Sequence, residues 1–211
     1  MAVNDHQRLE FSAALRSNLE QLANLHDIVA ERIERQKAVE EALESAVKRV
    51  EEEKSQEGDA LKALSEASED AVRRARLVGV KLEAAFLEGQ VTEEVYRAAL
   101  NAAFPNGPQS IGTTPQQRLE ALRRIATALS QHDAADPSGE LGPLAQGGAQ
   151  AIEDANAQAK REQADAQEAN DSLAAARHDF DEGYQATKEI VAGLLRDAKR
   201  LNELKDVFPD M

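Results

Sequence analysis

"FPNGPQSIGTTPQQRLEALRR", residues 104–124, interrupts a chain whose pattern is otherwise helical almost throughout. Its first twelve residues hold three of the six prolines, Pro105, Pro108 and Pro115, together with Gly107 and Gly112. Proline removes a backbone donor and glycine admits left-handed backbone, so a helix stops here and another begins. Upstream, "EGQVTEEVYRAALNAAF" offers a turn at Gly89, Thr92 as an N-cap, acidic residues in the first turn, and apolar Val95, Ala98, Ala99 and Ala102. Downstream, Thr114 is the expected N-cap and Pro115 the first helical residue. Leu119, Leu122, Ile125, Ala126 and Leu129 follow at helical spacing. "DAADPSGELGPLAQGG", residues 133–148, then reads as a loop into a further helix. The opening stretch is thus a connector between two short helices, with a partner-binding tip carrying exposed Phe104 and Ile111 as the alternative.

Outward from this middle lie two long helical arms. A heptad register stepping +4, +3 runs without a slip from Leu15 through Leu22, His26 and Val29 to Ala85. No proline precedes Pro105, and the first glycine is Gly58. The sequence therefore predicts one continuous helix over 6–88, with "EEEKSQEGDA" around Lys54 as its weakest seam. A second register runs from Ile152 through Ala159, Leu173 and Phe180 to Phe208. The simplest arrangement folds the arms antiparallel with Phe11 beside Phe208, so that paired positions sum to about 219 at equal rise per residue. The expected fold is all-α: a long antiparallel coiled-coil hairpin, or stalk, from 1–75 and 144–211, with a small helical head over 76–143 at its tip. A compact bundle bent back at Gly58 is the structural rival.

Composition agrees with a thin fold. The chain has no Trp and no Cys, five Phe and two Tyr, and its apolar content is mostly Ala and Leu. Few large side chains cannot fill a thick core. Without Cys there is no disulfide or thiolate chemistry. No apolar run approaches the roughly 20 residues that span a bilayer, and the N-terminus lacks the signal-peptide pattern. A cytoplasmic protein is expected, with signal-less export as the alternative.

The net charge of −14 argues against nucleic acid, whose phosphates need Lys and Arg. The charge is unevenly spread: residues 1–69 net −7, residues 70–132 net +2, and residues 133–211 net −9. The basic cluster of the middle comprises Arg73, Arg74, Arg76 and Lys81 with Arg118, Arg123 and Arg124. It could attract a protein partner or a neighbouring acidic stalk. Alternatively, it could be spent on pairs with Glu83, Glu88 and Glu120.

Catalytic patterns are missing. His6, His26, His132 and His178 form no HExxH or ExxH pair, and no P-loop, GxSxG or GxGxxG occurs. Asp133, Asp136 and Glu140 lack calcium-hand spacing. His26 reads as a polar seam residue that sets register. No enzyme activity, cofactor or metal is expected. The apolar stripe is wider than a two-helix seam needs, through Leu25, Val39 and Ala46 on the first arm and Tyr184, Val191 and Ala198 on the second. A homo-oligomer pairing hairpins into a four-helix stalk would bury these flanks. The expected function is a non-enzymatic scaffolding protein that self-associates through its stalk. The alternatives are an adaptor using loop 104–115 or the basic patch, and an exported helical toxin or secretion component.

Overall fold

The computed structural model describes residues 4–23 and 26–208. The chain is all-helical, with 85% helix, six α-helices and no strand among the described residues. The helices are α1 (Asp5–Glu20), α2 (Asp27–Leu87), α3 (Glu93–Ala103), α4 (Pro115–Gln131), α5 (Leu141–Asp197) and α6 (Leu204–Val207). The chain divides into two compact units, Met1–Ser55 with Ala164–Met211 and Gln56–Gln163, and both long helices contribute to each.

In the first unit the long helices pack antiparallel, with Arg49 of α2 on Glu168 of α5 and Val39 against Gly183. The helix expected over 6–88 is broken. It ends at Glu20 and restarts at Asp27, so α1 is a separate helix lying against both long ones. Ser12 of α1 meets Gln36 and Glu40 of α2, which sets those two antiparallel. Asp5 meets Arg177 and Arg8 meets Asp181, so α1 runs parallel to α5. His26 is not a seam residue: it is exposed ahead of α2, and its Nδ1 accepts the Ile28 N–H at 3.2 Å. That bond satisfies one of the free donors at a helix N-terminus.

The apolar faces of α1, α2 and α5 close one core through Leu15, Leu19, Val29, Tyr184, Val191 and Leu195. Helix α5 stops at Asp197 instead of reaching Phe208. Lys199 takes a left-handed φ of 59°, and the Arg200 N–H returns to the Leu195 carbonyl at 2.7 Å. Such a six-to-one bond is a common way to close a helix. The reversed chain brings Val207 and Phe208 into the same core, where Phe208 meets Tyr184 edge-on at 5.6 Å. Phe208 therefore pairs with Tyr184, not with Phe11.

In the second unit, α3 and α4 pack against α2 and α5 around Ala75, Val78, Leu82, Leu122, Ile125 and Ile152. Thr92 caps α3, and Thr114 caps α4 in a reciprocal capping box with Gln117, Pro115 standing at the first turn. Gly107 and Gly112 both take left-handed φ, at 85° and 91°, which turns the connector back on itself. Gly79 on α2 has no side chain to obstruct this connector. A Cβ there would stand 3.0 Å from Pro108. The loop 133–140 also starts the next helix, since the Asp136 carboxylate accepts the Leu141 N–H at 2.7 Å and holds negative charge at the N-terminus of α5.

Candidate interaction surfaces

The basic residues of the middle are mostly satisfied within the second unit. Arg73 and Arg74 both pair with Asp70, at 3.1 and 2.5 Å, and Arg74 also reaches the Leu144 carbonyl. The Arg74 hydrogen bond, with the Arg74 and Arg73 charges behind it, holds the Asp70 carboxyl below the usual carboxylate range against its burial. Lys81 pairs with Glu140 at 3.3 Å, and Arg123 pairs with Glu153. Arg118 donates to Ser68 Oγ at 2.8 Å and to the Gly112 carbonyl, and Arg124 donates to the Ala103 carbonyl. Only Arg76 of the seven has no hydrogen bond or ion pair among the described residues. The partners are Asp70, Glu140 and Glu153, not Glu83, Glu88 or Glu120.

Phe104 and Ile111 do not form an exposed tip. Each is 5% exposed and belongs to the core of the second unit. Pro108 seats the connector on Gly79 of α2, and the two flanking apolar side chains turn inward with it.

Of the residues expected to meet a second hairpin, Tyr184 and Val191 are each 1% exposed and are covered by α1 of the same chain. Val39 and Ala46 are half-buried against the core that contains Leu43, Leu173 and Phe180. Ala198 is exposed just beyond α5, and Leu25 lies outside the described residues. At Val39, Ala46, Tyr184 and Val191 the apolar stripe is therefore filled from within the chain.

Sequence reasoning missed the polar clamp that fastens α1. Arg177 grips Asp5 through two bonds of 2.6 and 2.5 Å, and Arg8 grips Asp181 through two of 3.0 and 2.9 Å. Gln36, 1% exposed, donates to Ser12 Oγ, which donates on to Glu40, itself paired with Arg16 at 3.1 Å. Asn18 donates to the carbonyls of Asp206 and Val207. The clamp carries a cost, because the Gln36 Oε1 is buried with no hydrogen-bond partner among the described residues.

The hydrogen bond from Arg177, assisted by the charges of Arg177 and Arg8, holds the Asp5 carboxyl below its ordinary range despite burial. A folded pKa below the unfolded one means that this contact stabilises α1 docking at pH above the usual Asp value of about 3.9. The stabilisation is lost as pH falls from there toward the depressed folded value. Amide protection over residues 5–20, normalised to intrinsic exchange, should fall through this window. Asp5→Asn should remove that part of the pH dependence. A wild-type profile identical to the Asp5→Asn profile would show that the contact is absent in solution.

One apolar row has no cover among the described residues, beside the isolated exposed Leu61 and Leu201. Leu77, Val80 and Leu87 of α2 are 44%, 62% and 73% exposed, with half-buried Ala84 among them. At about 100° per residue these four point away from Ala75, Val78 and Leu82, which face the core of the second unit. Exposed Arg76, Lys81, Glu83 and Glu88 flank them. Between α4 and α5 an open groove of mixed character is lined by Ala126, Thr127, Ser130, Gln146, Ala149 and Gln150 among others. No helix among the described residues is long and apolar enough to cross a membrane.

Comparisons with protein-family models, curated proteins and solved structures found no match to this chain.

Proposed function

We propose that this chain is a non-enzymatic scaffolding protein, built on an antiparallel coiled-coil pair of α2 and α5, that self-associates. The observation that carries the reading is the bare apolar row on α2, Leu77, Val80 and Leu87, which are three of the five large hydrophobic side chains left exposed among the described residues, the others being Leu61 and Leu201. Apolar surface left in water costs roughly 25 cal/mol per Å² relative to burial, so a row of such side chains on one helix favours association. Self-association in this reading does not use the flank of the first unit, because α1 occupies it.

Sedimentation velocity across a concentration series tests this, because it reads mass directly. The reading expects a weight-average mass that rises above that of the 22.9 kDa chain with concentration. A 22.9 kDa species at every concentration would overturn it.

A further inference from the structure

Every other connection between the α-helices carries left-handed backbone. Gly89 lies between α2 and α3, Gly107 and Gly112 between α3 and α4, Gly139 between α4 and α5, and Lys199 after α5, with φ from 59° to 91°. The connection from α1 to α2, "QLANLH" over residues 21–26, holds no glycine or proline, and none of its described residues has a positive φ. Gln21, the first residue beyond α1, still has helical backbone at φ −69° and ψ −20°. The heptad register also crosses this connection without a slip, since Leu15, Leu19 and Leu22 before it and Val29 after it are buried in one core. A reversing turn keeps two seams in phase only where its length happens to suit, whereas a continuous helix requires it.

We propose that α1 is an exchangeable segment. Two copies of the chain swap α1 helices, each docking on the first unit of the other, while α1 and α2 of each copy run on as one helix. Polar bonds specify the occupant of this flank more closely than apolar contact would. Asp5 meets the partner's Arg177, Arg8 meets the partner's Asp181, and Ser12 meets the partner's Gln36 and Glu40, as each does within one chain. The midpoints of Ser12–Gln36 and Ser12–Glu40 are residues 24 and 26, inside the connection itself. Two joined helices therefore cross there, antiparallel about a two-fold axis, without a shift of register.

The docked contacts are the same in both forms, so the balance lies in the connection and in concentration. Joining the helices gives intrahelical partners to groups that the closed chain caps through His26, whose ring and carbonyl accept the Ile28 and Val29 N–H. Against this, a short connection holds the chain's own α1 at a high effective concentration. Higher protein concentration therefore favours the exchanged dimer, which needs no new surface. The flank of the first unit stays covered in both forms, and the bare row at Leu77, Val80 and Leu87 takes no part. The exchange thus goes beyond the function proposed above.

The experiment refolds full-length D5R and R177D from urea, separately and as an equimolar mixture, and compares them by sedimentation velocity at low ionic strength. Circular dichroism checks that helix content is kept. Within one chain, D5R sets two guanidinium groups together and R177D sets two carboxylates together, and an exchanged homodimer of either repeats the clash. An exchanged mixed dimer has opposite charges at both sites. The D5R helix docks on the R177D chain, and Asp5 of the R177D chain docks on Arg177 of the D5R chain. The mixture should dimerise at concentrations about tenfold or more below those at which either variant does so alone. Adding Asp27→Pro to both chains should remove this dimer, because proline suits the first turn of α2 but not the interior of a joined helix. Adding V80E to both should leave it in place.

A mixture that behaves like its separate components overturns the exchange, and so does a mixed dimer that survives Asp27→Pro or is lost with V80E. A wild-type chain that stays monomeric while the mixture dimerises overturns the function proposed above and supports the exchange.

Discussion

Leu19→Glu is expected to release α1 from the first unit. Leu19 is fully buried among Leu15, Leu22, Val29, Tyr184, Val191 and Leu195. A carboxylate there enters an apolar core, and the effective penalty for burying an ion is several kcal/mol. Undocking α1 is the cheaper response. Its remaining polar attachments are the Asp5–Arg177 and Arg8–Asp181 pairs, the Ser12 network and the Asn18 bonds to the Asp206 and Val207 carbonyls, and partly exposed ion pairs contribute about 0–1 kcal/mol each. The substitution should therefore cost about 4 kcal/mol or more in docking, since it adds charge burial to the loss of a buried leucine. Amides over residues 5–20 should lose protection, and Tyr184 should become open to acrylamide quenching. With no Trp and only Tyr96 and Tyr184 in the chain, a Tyr96→Phe background isolates that readout. Retained protection together with unchanged quenching would mean that α1 does not dock as described.

The boundary between α1 and α2 illustrates what periodicity can and cannot carry. The +4, +3 register passes from Leu15 and Leu19 to Val29 and Ile33 without a slip, yet the chain reverses between them. Both helices feed the same core, so a pattern that reports which face is apolar stays in phase across a turn of suitable length. Neither proline nor glycine marks the break. The available sign was weak: "NLHD", residues 24–27, puts polar capping residues between two apolar runs. The excess width of the stripe at Val39, Tyr184 and Val191 was a true indication of a third helix. Sequence alone could not say whether that helix came from another copy or from the segment just upstream of Val29, and here α1 supplies it.

In the second unit, what was legible is what is local. Thr92, Thr114 and Pro115 act within their own first turns, so their capping roles follow from short-range chemistry. The antiparallel approach of α2 and α5 was legible too, because two long apolar stripes need each other; Arg74 beside Leu144 and Lys81 beside Glu140 are its contacts there. Burial of Phe104 and Ile111 was not legible. It depends on Pro108 meeting Gly79, a contact between segments far apart in sequence. The same holds for Arg123, whose partner Glu153 lies on another helix, whereas the expected partners were near neighbours. The exposed row at Leu77, Val80 and Leu87 was present in "RLVGVKLEAAFLE", residues 76–88, but the stronger register through Val78 and Leu82 masked it.

Leu122→Ala should be the most damaging single truncation in the second unit. Leu122 is fully buried, and its neighbours in that core include Ala71, Ala75, Ala99, Ala145 and Ala149. Alanines bring helix backbones close but have no rotamers with which to refill a vacated volume. The cavity should therefore persist, placing the cost toward the upper part of the range of about 2.7–5 kcal/mol seen for buried Leu→Ala changes. A urea midpoint lowered in proportion, at unchanged slope, is the readout.

Gly148 gives an internal control on this geometry. A Cβ there would stand 2.9 Å from Leu122 Cδ1 and 2.8 Å from Arg74 Cδ. In the wild-type chain, Gly148→Ala should set the gain of about 1 kcal/mol in helix propensity against that crowding. With Leu122 cut to alanine, the first contact disappears while the propensity gain remains. Only the flexible Arg74 side chain then has to move. The two substitutions should consequently be non-additive, with the double variant more stable than the sum of the single effects by about 0.5 kcal/mol or more, as expected for residues in contact. Strict additivity would place α4 and α5 too far apart for Leu122 to touch Gly148, and with that contact the close packing of this core would go.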